Sequence, residues 1–114
     1  MRTPQHKLIK NQVIAYIQQN ASSRSPITAQ RLTEHFLCSL ATLMKAITEC
    51  REEGILIVPT NRGYYYGVDQ YDFNRIVNDY RSRISAHAKT IKAMFGKYPD
   101  YKKGFDPLQE TLGL

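Results

Sequence analysis

Three histidines, two cysteines and ten carboxylates are the groups in this chain that could carry acid–base, nucleophilic or metal chemistry. Their spacing supports none of it. His6, His35 and His87 lie far apart, none with a cysteine or acid at a recognisable metal-ligand spacing. Cys38 and Cys50 fall in or beside one predicted helix and point to different faces, so they do not pair, and no C-x-x-C suggests zinc. They are expected to be reduced, with Cys50 in the core. Asp69 and Asp72 open a helix, where carboxylates cap and complement the dipole instead of forming an acid–base pair. Neither a G-x-S-x-G elbow, an H-E-x-x-H helix, a P-loop nor a G-x-G-x-x-G turn is present. No catalytic residue, metal ligand or cofactor is expected, and the chain does not read as an enzyme.

The chain has 114 residues, enough for one domain with an appendage, and a formal net charge of +6. A basic balance favours an anionic partner. No apolar run is long enough to span a bilayer, and Met1 to Lys10 lack the apolar core of a secretory signal. A cytoplasmic location without membrane association is therefore expected. The charge is unevenly spread. Arg2, Lys7, Lys10, Arg24 and Arg31 stand in the first 31 residues with no acid. Lys45 and Arg51 are outnumbered by Glu34, Glu49, Glu52 and Glu53. Arg62 stands alone, and Arg75, Arg81, Arg83, Lys89 and Lys92 outnumber Asp69, Asp72 and Asp79.

The elements that must position these groups are legible from periodicity. Thr3-Pro4 is a helix start, with proline at the first helical position, and Ile9, Val13, Tyr16 and Ile17 form the buried face of a helix ending near Asn20. After the polar loop 21–26, Thr28 caps a short second helix to about Phe36, stapled by Ile27 and Leu32. Ser39 caps a third helix over 40–53 whose buried face is Leu40, Leu43, Met44, Ile47 and Cys50, ended by Gly54. Its exposed positions are expected to be Ser39, Ala41, Thr42, Lys45, Ala46, Thr48 and Glu49. An apolar strand, Ile55 to Val58, a turn over 59–63 and a returning Tyr64-Tyr65-Tyr66 make a hairpin. Tyr64 and Tyr66 are expected to line the core, leaving Tyr65 on the wetter face.

The stretch ITECREEGILIVPTNRGYYYG is similar to the N-terminal domain of the biotin-ligase repressor family and to phage and prophage winged-helix modules. There a helix ends in an L-R-x-x-G pattern, a short strand follows, and a G-Y pair returns from the wing. The matching positions are Cys50, Arg51, Gly54, Ile55, Ile57, Gly63 and Tyr64, within a likeness covering about residues 6–68. The implied fold is mainly α with a small β-hairpin (α+β), a winged helix-turn-helix, to which this chain adds a long C-terminal helix.

The resemblance implies double-stranded DNA as partner. The third helix would enter the major groove and the hairpin tip would touch the backbone or minor groove. Thr28, Gln30 and Arg31 would meet phosphate at the second helix, Ser39, Thr42 and Lys45 would face the groove, and Asn61 and Arg62 would be wing contacts. Among the expected exposed positions of the third helix only Lys45 is basic. Affinity is therefore expected from Arg62 and the basic flanks, and specificity from small polar side chains.

Asp69 caps a last helix, stapled by Val68 and Phe73 and running to about Phe95 with Gly96 as its stop. Phe73, Val77, Tyr80, Ile84, His87, Ile91 and Met94 recur at alternating steps of four and three, a heptad seam. Residues 1–68 then form the winged-helix domain, 69–96 the long helix and 97–114 a loosely ordered tail. The seam suggests a homodimer through Val77, Tyr80, Ile84, His87 and Ile91, or else a helix that folds back on the first helix and completes the core. The expected function is that of a dimeric, non-enzymatic DNA-binding protein: a phage-type transcriptional regulator or a replication or packaging factor, nucleoid-associated or acting in a phage-infected cell. The alternative is a protein–protein interaction module on the same scaffold, engaging a protein partner through the C-terminal helix or tail without binding DNA.

Overall fold

The computed structural model describes residues 3–104. The order is α1 (Gln5–Asn20), α2 (Ala29–Phe36), α3 (Leu40–Glu52), β1 (Ile57–Thr60), β2 (Gly63–Tyr66) and α4 (Gln70–Lys97), followed by a 3₁₀ helix, Pro99–Gly104. The architecture is mainly α with one antiparallel hairpin. The chain divides into two compact units, Met1–Ile76 and Val77–Leu114. The division falls inside α4, whose first turns pack with the hairpin.

Local signals account for most helix ends. Thr28 Oγ1 accepts from Arg31 N–H at 3.1 Å and Ser39 Oγ from Thr42 N–H at 3.1 Å, each taking up a backbone donor that a helix start leaves unpaired. Ile27 and Leu32 are both buried, as a staple requires. Gly54 follows the α3 cap at φ +86°. At α1 the cap is Pro4, not Thr3: the Pro4 carbonyl accepts from Lys7 and Leu8, and no side chain caps the helix. Gly96 does not stop α4, which continues through Lys97. A lone helical glycine costs about 1 kcal/mol, less than the surrounding good helix formers supply. The α4 staple is not formed as a buried contact, since Val68 and Phe73 are 81% and 47% exposed. Residues 99–104, expected to be loose, form the 3₁₀ turn, with the Tyr98 and Tyr101 rings stacked. The rest of the expected tail lies outside the described residues.

Ile9, Val13 and Ile17 of α1 meet Leu32 of α2 and Leu43, Ala46, Ile47 and Cys50 of α3, with Ile27 and Ile57 closing the core. Two α3 positions exchange their expected places. Ala46 is fully buried, lying on the arc of Leu43, Ile47 and Cys50, whereas Leu40, in the first turn beyond that arc's packed part, is 57% exposed. The Tyr16 ring lies tilted against the exposed His35 ring, with centroids 4.1 Å apart, and meets Phe36 edge-on, so His35 makes a surface ring contact from α2 to α1.

The hairpin differs most from expectation. Its strands run through Pro59 and Thr60, so the tip is only Asn61-Arg62. Pro59 is tolerated there because its partner Tyr64 directs its own N–H and C=O the other way, to Ile27. Tyr64 N–H donates to the Ile27 carbonyl at 2.7 Å and Ile27 N–H to the Tyr64 carbonyl at 2.9 Å. The segment before α2 thus adds a one-residue strand beside β2.

Both hairpin faces are covered. Ile57 joins the helical core, with Tyr64 and Tyr66 packed against it. On the opposite face Val58 and Tyr65 are buried, which corrects the expectation of a wet Tyr65. The Tyr65 hydroxyl donates to Asp72 Oδ1 at 2.6 Å, and the other carboxylate oxygen accepts from Val68 N–H at 2.9 Å. Asp72 N–H in turn donates to the capping Asp69 carboxylate at 2.9 Å.

Candidate functional site

The side chains expected to contact a ligand lie at the starts of α2 and α3, on the outer face of α3 and at the hairpin tip. Ser39 and Thr42 are brought together: beyond the cap, Ser39 Oγ donates to Thr42 Oγ1 at 3.0 Å. Thr28 and Arg31 meet through the α2 cap. Gln30 donates to the Glu34 carboxylate at 3.1 Å. Arg31, Lys45, Asn61 and Arg62 are exposed, and among the described residues the three cations are in no ion pair. Thr60 shapes the tip: its hydroxyl donates to the Gly63 carbonyl and accepts from Arg62 N–H, closing the two-residue turn. This role of Thr60 was not read from the sequence, although a hydroxyl two residues before an exposed arginine is a turn signal.

Two side-chain bonds tie the hairpin to α3. Tyr64 Oη donates to Met44 Sδ at 3.3 Å, beside Lys45. Arg51 Nε donates to the Ile57 carbonyl at 3.0 Å. Both ends of β1–β2 are therefore referenced to the helix carrying Lys45, and the hairpin and outer α3 face belong to one framework. Neither Met44 nor Arg51 stood out in the sequence for this task; the Arg51 contact is legible only once β1 is placed beside the α3 C-terminus.

The electrostatics of α3 differ from the segment tally. His6 Nε2 lies 2.9 Å from Glu49, and Lys10 pairs with Glu53, both pairs bridging α1 and α3. The acidic excess of residues 32–54 is thus partly met by bases from the first helix. Glu49, expected exposed, is half-buried by this contact. Lys45 lines a shallow groove with His6, Met44, Thr48, Glu49 and Glu52. Along α3 the outward face is polar and basic through Lys45 and acidic beyond it.

Titration directions separate packing groups from reactive ones. Burial pushes the Cys50 thiol up to about 11, and burial also raises Cys38, so both remain protonated near neutrality. Burial alone would raise the Asp72 carboxyl, but hydrogen bonds from Tyr65, Val68 and Asp69 outweigh it and hold the carboxyl below its ordinary value. Tyr65 is raised by burial and by its bond to Asp72.

Among the described residues no three His, Cys, Asp or Glu side chains are placed to hold a metal ion, and no helix is long and apolar enough to cross a membrane. Of the expected seam on α4, Ile84 and Met94 are 53% and 60% exposed, His87 is exposed, and Val77, Tyr80 and Ile91 are half-buried. No protein-family model, curated protein or solved structure matches this chain.

Proposed function

We propose that the protein is a non-enzymatic winged-helix DNA-binding protein that acts as a dimer, of the kind used as a phage-type transcriptional regulator or as a replication or packaging factor. The observation that carries this reading is the clamp between hairpin and helix. Tyr64–Met44 and Arg51–Ile57 hold a hairpin tipped by Arg62 to the helix that exposes Lys45. That arrangement suits a helix in the major groove with the hairpin tip on the adjacent backbone. The Ile27–Tyr64 pairing supports the reading further, because it ties the tip end of β2 to the segment before α2. The mechanism is occupancy and recruitment, with a cytoplasmic site of action.

The test is a fluorescence-anisotropy titration of random duplex DNA at several salt concentrations. Lys45→Ala and Arg62→Ala are each expected to weaken binding and to lower the slope of log affinity against log salt by about 1. Absent or salt-independent binding would sink the reading. In the dimer, the seam of α4 pairs with that of a second copy. Ile84→Asp is expected to convert the mass in solution from dimer to monomer, and an unchanged mass would remove α4 from the interface.

The exposed Ile84 and Met94 also favour a second reading, a protein-interaction module in which α4 engages a different protein. It requires no duplex affinity, so the same titration separates the two.

A further inference from the structure

The polar side of α4 carries a surface that is separate from the seam on the same helix. At 3.6 residues per turn, Asn78, Arg81, Ser82, Ser85, Lys89 and Lys92 project within about 100° of one another. All six are exposed. Every one can donate a hydrogen bond, three are cationic, and none is a carboxylate. Asp79, the only acid between Val77 and Lys97, lies on another side of the helix, where it bonds to Arg83. Arg81 to Lys92 covers about 16 Å of helix axis.

We infer that this face is a second phosphate-binding surface, which lies along the sugar–phosphate backbone of duplex DNA. The inference rests on the DNA-binding reading. Its composition favours nucleic acid over a lipid surface. Serine and asparagine interleaved with lysine and arginine are the usual partners of phosphate and sugar oxygens. A helix lying in a bilayer interface also carries Lys and Arg on its polar face, so the vesicle arm of the test tells the two apart. Here the row Arg81–Lys89–Lys92 is centred about 120° around the helix from the seam. One helix then serves two purposes on two sides, with the seam for association and the donor row for the polyanion.

The test uses the full chain with Arg81, Lys89 and Lys92 all changed to alanine. Alanine favours helix and the three sites are exposed, so circular dichroism is expected to match wild type. Three lost phosphate contacts lower the salt slope of duplex binding by about 2.7, so a rise from 50 to 200 mM salt costs wild type about 40-fold more affinity than the variant. An unchanged slope in the variant, with wild type binding normally, overturns this inference and leaves the DNA reading standing. Failure of wild type to bind any duplex overturns both. Phosphatidylserine vesicles form the second arm. If the variant loses vesicle binding while its duplex binding is unchanged, the face serves a membrane and the inference fails.

Discussion

Gly63→Ala is expected to destabilise the protein by about 3 kcal/mol or more and to detach the hairpin from the segment before α2. Gly63 sits at φ +132°, and a Cβ built there would lie 2.2 Å from the Ile27 carbonyl oxygen and 2.8 Å from Thr28 N. Those neighbours are backbone and cannot swing aside as a flexible side chain would. Backbone strain of about 1–2 kcal/mol in a left-handed conformation adds to the overpacking cost of about 1–3 kcal/mol. Gly54→Ala is the control. Gly54 also has positive φ, +86°, but nothing lies within 4 Å of its Cβ position. It carries the strain alone, about 1–2 kcal/mol. Chemical denaturation of the two variants measures the difference, and equal losses would show that the Ile27–Tyr64 pairing contributes nothing. Since Arg62 is the residue before Gly63, the Gly63 variant is also expected to lose the part of duplex affinity that comes from the tip.

Asp72→Ala is the second large loss, about 2–4 kcal/mol. It leaves the buried Tyr65 hydroxyl and the Val68 N–H without their acceptor. Asp72→Asn retains one acceptor oxygen and the volume, and an intermediate loss is expected. The carboxylate also makes stability depend on acidity. Its folded pKa lies below the ordinary 3.8, so at low pH the unfolded chain binds the extra proton. The contribution is complete above that value and is lost as pH falls through the lower folded value. Melting temperatures between about pH 7 and 2 should therefore show wild type converging on Asp72→Asn below about pH 4. Parallel curves would mean that Asp72 titrates alike in both states. At the alkaline end the sign reverses. Tyr65 has a raised folded pKa, so its contribution is present below the ordinary 10.0 and disappears as pH rises through the folded value.

Both substitutions act where the hairpin meets its neighbours. Gly63 meets the residue before α2, and Asp72 reaches back from α4. The four-residue strands β1 and β2 would be marginal alone. With one face on the helical core and the other under the first turns of α4, they become a fixed support for Asn61 and Arg62. In the proposed DNA complex that support sets the distance from the tip to Lys45, through the Tyr64 bond to Met44.

The sequence by itself determined the helices, the hydroxyl caps of α2 and α3 and the Gly54 stop, together with the hairpin and its arginine tip. Each depends on interactions within a few residues: a cap reaches its third neighbour, and an apolar face repeats every turn. Tertiary structure alone decided what covers each surface. A period of two says that Tyr64 and Tyr66 share a side, but not that α4 returns to bury Tyr65 on the other. By periodicity Ala46 reads as a surface residue and Leu40 as a core one, yet Ala46 is buried and Leu40 exposed, since burial depends on where the neighbouring helix crosses. The acids of α3 counted as a negative patch until His6 and Lys10 of α1 arrived beside Glu49 and Glu53, some 43 residues away in the chain. Charge and burial are properties of neighbours in space, and for the outer face of α3, on which the proposed function rests, those neighbours come from α1 and the hairpin.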